Sequence, residues 1–155
     1  GPLMVGRLDR VNFRGVRVTR RTKRMILWAE KRAGFKFKIA QGSWSGAKAS
    51  AGTHNGGGAV DIGAAGLSKA QRVAAIHALK NAGFAAWYRR NVPGLWGPHI
   101  HCVSFGEPCA SGAAQQKKAF DAGRDGLAGN RPDRTYRPNP KVSWSWLLNR
   151  PKKRK

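Results

Sequence analysis

The run Gly56-Gly57-Gly58, with His54 before it and Asp61 after it, constrains this chain more than any other stretch. Residues without a Cβ favour neither a helix nor a strand interior. They let the backbone fold back tightly, so that side chains on either side of the run can converge on one point. The stretch reads Thr53-His54-Asn55-Gly56-Gly57-Gly58-Ala59-Val60-Asp61, and Pro98-His99-Ile100-His101 follows downstream. Three of the four histidines and one of only seven acidic residues fall in these two pieces. In a chain with 30 Lys and Arg, an Asp placed there is expected to hold something positive.

Residues 99–105 read as a strand, in which side chains at i and i+2 share a face. His99 and His101 then point one way, while Ile100 and Cys102 point into the opposite, buried face. That makes Cys102 a poor ligand. His54, Asp61 and His101 are expected to form a catalytic zinc site of two imidazoles and one carboxylate, which leaves the fourth tetrahedral position open to water. The metal lowers the pKa of that water towards ~7 and polarises a bound carbonyl. His99, one pleat along, is expected beside the metal, where a group with an unperturbed pKa of ~6.5 suits general acid–base work. The glycine run taken alone also suits a loop or a phosphate cradle. No Gly-Lys-Ser/Thr follows it, which excludes a P-loop. His77 stands alone in a predicted helix and reads as structural.

At 155 residues the chain is long enough for one domain with a real core. A helix is predicted over 20–33, with Thr19 as N-cap, Met25, Ile26, Leu27 and Trp28 as its core-facing cluster, and Gly34 as its stop. Phe35-Lys36-Phe37-Lys38-Ile39 alternates apolar with basic, as a half-buried strand does. Residues 41–58 are rich in Gly, Ser, Ala and Asn and read as a long loop, a kind that is usually functional. A short buried strand over 59–62 carries Asp61. A second helix opens on a capping box of Ser68 and Gln71, repeats Val73, Ile76 and Leu79 at helical spacing, and closes at Gly83. A strand over 84–88, a turn region over 91–98, the strand over 99–105 and a helix over 113–122 complete the order. This is the pattern of an α+β domain, a small, mainly antiparallel sheet with flanking helices. The domain is expected over 7–125, with 126–155 a basic, Pro/Arg-rich extension that is extended or partly disordered. Residues 1–3 read as the scar of a protease cleavage. Met4 is then the expected native start, and the protein is expected to be made without an export signal of its own.

The net charge of +23 speaks to partners and not to fold. Eight basic residues and one Asp lie in 7–24, and nine basic residues and one Asp in 131–155, around a Gly- and Ala-rich centre that is far less densely charged by comparison. Such flanks suggest a site on the middle and an electrostatic grip at the ends. The partners this allows are nucleic acid, an anionic membrane or an anionic cell-wall polymer. No apolar run reaches the length of a membrane span, so stable membrane insertion is not expected. Pro151-Lys152-Lys153-Arg154-Lys155 looks like a nuclear import signal or a phosphate-binding tail. Trp144 and Trp146 would share a face of an extended segment, docked on the core or stacked on a ligand. Trp87, Tyr88 and Trp96 suit the wall of a substrate groove, or ordinary core packing. Cys102 and Cys109 are too few for a disulfide scaffold and form no C-x-x-C pair. They read as a buried thiol and a loop thiol, or as a local disulfide.

The stretch from Ser50 to Asp61 resembles the first metal motif of the LAS zinc peptidases, the superfamily of lysostaphin-type enzymes, D-Ala-D-Ala carboxypeptidases and the hedgehog fold. In that motif six residues separate a His from an Asp, with a Gly between them and a small residue two before the Asp. His99-Ile100-His101 is similar to the second motif of the His-x-His branch, where the second His binds zinc and the first acts in catalysis. The similarity covers roughly residues 20–105. It implies a LAS/hedgehog-like fold, Zn2+ on His54, Asp61 and His101, and a catalytic His99. Gln41 lies where many relatives have a polar or Arg residue that contacts the substrate carbonyl. One departure matters: the D-Ala-D-Ala carboxypeptidase branch has a catalytic Glu three residues before the second zinc His, and here that position is Pro98. Catalysis then rests on His99, or the protein binds metal without activity.

The resemblance implies a zinc metallopeptidase, endopeptidase or carboxypeptidase, that cuts peptidoglycan cross-links or stem peptides. A monomeric phage-type endolysin would be made in the cytoplasm and would reach the bacterial cell wall through a separate membrane pore. A cationic enzyme is drawn to anionic wall polymers over about a Debye length, ~8 Å at physiological salt. The competing expectation is a nucleic-acid-binding protein, gripping through its basic flanks, with a structural or vestigial zinc site. A structural site usually closes all four positions with protein ligands, and the sequence offers only His99 as a fourth.

Overall fold

The structure, a computed structural model, describes residues 8–46 and 51–138. Ser50, Trp144, Trp146 and the basic segment 151–155 lie outside the described residues. The first element is a hairpin of β1 (Arg10–Phe13) and β2 (Val16–Thr19). Its charge pattern reads as a basic flank. Phe13 and Val18 are nevertheless buried, while Arg10 and Arg17 face solvent. The two residues of the turn, Arg14 and Gly15, have φ of 52° and 86°. Such tight hairpin turns are most often signalled by Asn-Gly, and an arginine in the first place hides the signal.

Helix α1 (Arg20–Ala33) begins where expected, with the Thr22 amide donating to Thr19 Oγ1 at 2.9 Å, and ends at Gly34. Its buried apolar residues are Met25, Ile26 and Ala29, while Leu27 is exposed and Trp28 only half-buried. Four consecutive residues span more than one helical face, so only part of the predicted cluster turns inward. Strand β3 (Lys38–Gln41) lies later than the predicted strand. Phe35 and Phe37 precede it and meet edge to face at 5.3 Å, and Phe37 is buried. This shift brings Gln41 into the sheet.

Next come β4 (Ala59–Gly63), α2 (Lys69–Ala82), β5 (Phe84–Arg89), β6 (His99–Ser104) and α3 (Ser111–Asp121). The predicted capping box of α2 is present: the Gln71 amide donates to Ser68 Oγ at 3.1 Å, and the Ser68 amide donates to Gln71 Oε1 at 3.0 Å. Strands β3, β4, β6 and β5 form, in that order, an antiparallel sheet. The domain is α+β, with three helices and two small antiparallel sheets among the described residues, as the order of elements predicts.

The strand period of two gives the larger sheet two different faces. Val60, Ile62, Phe84, Ala86, Ile100 and Cys102 share one buried cluster with Met25, Ile26 and Ala29 of α1 and Ala75 and Leu79 of α2. On the other face, Ala85, Trp87 and Val103 pack with Ala113 and Phe120 of α3. Each fully buried large apolar side chain here contributes roughly 1.5–3 kcal/mol. Cys102 and Cys109 are free thiols, and burial pushes Cys102 well above the ordinary thiol range.

After α3 the chain forms no helix or strand up to residue 138, yet it packs on the domain. Trp87 Nε1 donates to Arg124 O at 2.9 Å, and Lys80 Nζ donates to Thr135 Oγ1 at 2.9 Å and to Tyr136 O at 2.6 Å. The Tyr136 ring also lies against His77, 4.3 Å between centroids.

Candidate metal centre

Strand register sets most of the site. Gln41, Asp61, His101 and Trp87 are successive partners across β3, β4, β6 and β5, so they form one row on the face away from α1 and α2. His54 reaches the same place from the loop between β3 and β4. The Ser43 amide donates to Arg17 O at 2.8 Å, and the Ser45 amide donates to His54 O at 2.7 Å. Two glycines allow the close approaches this needs. A Cβ on Gly42 would meet Arg17 O at 2.6 Å, and one on Gly56 would meet the Ala110 nitrogen at 2.7 Å. The loop is thus clamped between the β1–β2 hairpin and the start of α3.

The three expected ligands meet. His54 Nε2 lies 3.2 Å and His101 Nδ1 2.9 Å from Asp61 Oδ1. One ligand atom from each of the three lies within 4.8 Å of the others. Gly42 O can only accept, so His54 Nδ1, 2.8 Å away, donates to it and leaves the Nε2 lone pair facing Asp61. Gln116 Oε1 accepts from His101 Nε2 at 2.6 Å, which leaves the Nδ1 lone pair facing the same carboxylate. Two neutral imidazoles and a carboxylate then present three acceptors to one another with no donor between them. A cation resolves that conflict, and outer hydrogen bonds of this kind characteristically orient histidine ligands. The group can hold a metal ion.

A proton is the competitor for that place. Burial works against charging His54, but the hydrogen bond and charge of Asp61 outweigh it, and the pKa is raised. At His101 burial prevails over Asp61, and the pKa is lowered. Burial alone would raise Asp61, but His101 and His54 beside it hold it well below the usual carboxylate range.

The trio borders a cavity of about 350 Å³ that Gln41, Arg89, Trp96, His99 and Leu127 also line. His99 Nδ1 faces Gly97 O at 2.9 Å, and its Nε2 lies 3.7 Å from Asp61 Oδ2, beside the trio as expected. The Trp96 ring stands edge-on to His99 at 5.8 Å. Gln41 Nε2 donates to Ser45 Oγ at 3.1 Å.

The three aromatics expected at a groove wall divide. Trp96 lines the cavity, while Trp87 and Tyr88 do not. Trp87 is buried behind His101, its ring stacked at 6.1 Å and 14°. Tyr88, the next residue of the strand, pairs with Ile100 on the opposite face and carries the Arg72 guanidinium over its ring at 4.2 Å. Adjacent strand residues cannot both face one groove.

Two residues at the site were not singled out from sequence, Gln116 and Arg89. Arg89 stands two places after Trp87 on β5, so strand alternation alone could have placed it on the site face. Gln116 lies on a helix whose docking carries no local signal. Comparison of the chain with protein-family models, with curated proteins and with solved structures finds no match.

Proposed function

We propose that this protein is a zinc-dependent peptidase that hydrolyses peptide bonds of bacterial peptidoglycan, with the LAS superfamily as its family. The observation that carries the reading is the convergence of His54, Asp61 and His101 at a cavity with a fourth titratable group, His99, beside them. Two imidazoles and a carboxylate suit zinc, and a set of three leaves room for a reactant. Zinc held there would supply Lewis-acid activation of water and of a peptide carbonyl.

The chain's own residues then do the rest. His99, with Nδ1 committed to Gly97 O, has Nε2 free to take a proton from the attacking water and return it to the leaving amine. Gln41, in the row of Asp61, offers Nε2 to the charge that develops on the carbonyl oxygen. Trp96 supports the peptide against His99. The charge of +23 favours attraction to anionic wall polymers, which fits a phage-type lytic enzyme.

The test is incubation of the full chain with purified cell-wall sacculi, followed by mass analysis of released muropeptides. Release that chelator abolishes, zinc restores and His101→Ala removes is the expected result. Release unaffected by His101→Ala would overturn the reading. Steeply salt-dependent nucleic-acid binding without wall cleavage would instead favour the nucleic-acid-binding alternative.

A further inference from the structure

Arg89 ends β5 on the face that carries Asp61 and His101, and it is only 5% exposed. Its Nη1 donates to Asp125 O at 2.7 Å, and its guanidinium lies over the Trp87 ring at 4.9 Å. Its Nη2 is buried without a hydrogen-bond partner among the described residues. A buried guanidinium N–H left unmet is costly, so such a group persists where an acceptor arrives from outside. Arg89 lines the same cavity as the metal trio.

The nearby acids are engaged elsewhere. Asp61 Oδ1 faces the two histidines, and Asp125 Oδ1 accepts from the Leu127 amide at 2.9 Å. Burial brings the Arg89 pKa down to about 10 against the opposing pull of Asp125, Asp61 and Asp133, so the group is charged at neutral pH. The backbone crosses beside it at Gly126, where a Cβ would stand 3.6 Å from Nη2. Arg89 pairs with His99, and Trp87 with His101, so Arg89 lies one pleat from the ligand row, about 7 Å along the strand. A peptide whose carbonyl sits at the trio has its neighbouring residue within reach of Arg89.

We propose that Arg89 is a substrate-carboxylate site: its unpartnered Nη2 binds a free carboxylate on the residue next to the scissile bond. The peptidase would then prefer acidic or chain-terminal peptides over neutral internal ones. Arginine suits the task because its planar fork matches a carboxylate. The inference rests on the peptidase reading for the identity of the ligand as a peptide. The carboxylate is a C-terminal one or a side-chain one, and the probes below separate these sources.

The experiment titrates the zinc-loaded full chain, labelled with 15N-arginine, with three small probes. These are N-acetyl-D-alanine, its amide, and the α-amide of N-acetyl-D-glutamate. At least one acid should bind ~10-fold more tightly than the neutral amide and shift the Arg89 guanidinium resonances, and Arg89→Gln should cut that preference to ~2-fold or less. The acid that binds identifies the source. If Arg89→Gln does not fold, the acid–amide difference and the Arg89 resonances of the unaltered chain decide. Equal affinity for acids and amide overturns the proposal, as does an acid preference that persists in folded Arg89→Gln. Acid binding through Arg89 in a protein that releases nothing from sacculi supports the carboxylate site and overturns only the peptidase reading.

Discussion

His101 and Gln116 face each other across 2.6 Å, Nε2 on the strand side and Oε1 on the helix side. The contact commits His101 Nε2 as donor and turns Nδ1 towards Asp61. Helix α3, which contributes none of the three candidate ligands, thereby determines which nitrogen of His101 faces Asp61. Gln116→Ala should lower zinc affinity ~10–100-fold with little change in circular dichroism, and Gln116→Glu, which keeps the acceptor, should recover most of the loss. Competition with a chromogenic chelator measures this. Unchanged affinity in Gln116→Ala would show that the amide merely fills space.

His99 stands beside the trio of candidate ligands and outside it. His99→Ala is expected to retain one zinc per chain and to lose ~10²–10⁴-fold in wall-peptide cleavage. Metal analysis and a turnover assay on the same preparation separate the two roles. Lost zinc would make His99 a ligand.

Glu107 is a buried anchor between the hairpin–α1 junction and the segment before α3. Its Oε2 pairs with Arg21 Nη1 at 3.1 Å and accepts from Thr22 Oγ1 and Ser104 Oγ, both at 2.9 Å, and its Oε1 accepts from Thr19 Oγ1 at 2.8 Å. Removing one partner of such a pair strands the other charge. Glu107→Ala should therefore cost ~3–5 kcal/mol in urea unfolding. A loss below about 1 kcal/mol would mean that Arg21 finds water instead.

Lys80 is fully buried, and burial lowers its pKa from the ordinary 10.5, with Asp133 opposing the shift and Arg137 adding to it. Between the folded value and 10.5 the unfolded chain holds more protons than the folded one, so stability from this group rises with pH across that window. The difference in unfolding free energy between the unaltered chain and Lys80→Met should grow as pH approaches 10.5 and be constant below the folded value. A difference that shrinks with rising pH would contradict the assignment.

Much of the fold is legible where local signals suffice. Thr19 and Gly34 bound α1, and Ser68, Gln71 and Gly83 bound α2, because caps satisfy backbone groups within a few residues of one another. The β1–β2 hairpin escapes notice because its alternating arginines look like a solvated flank, and the burial of Phe13 and Val18 depends on α1 folding over them. Proximity in sequence misleads at Trp87 and Tyr88, which the pleat sends to opposite faces. Gln116 has no signal of its own, since its role exists only once α3 lies against β6.

By itself the sequence determined, for β6 and the two capped helices, which residues share an element and for β6 which face they occupy. His99 and His101 fall on one face with Cys102 on the other, the glycine run allows His54 to turn back, and two helices are capped. These follow from periods of two and 3.6 and from backbone chemistry, all of which are local. Only the tertiary structure decided that Asp61 pairs with His101, that Gln116 holds His101 from behind, and that Arg89 faces the cavity with an unmet donor. Those outcomes depend on strand order, register and helix docking, which are set by burial of apolar faces between segments far apart in the chain.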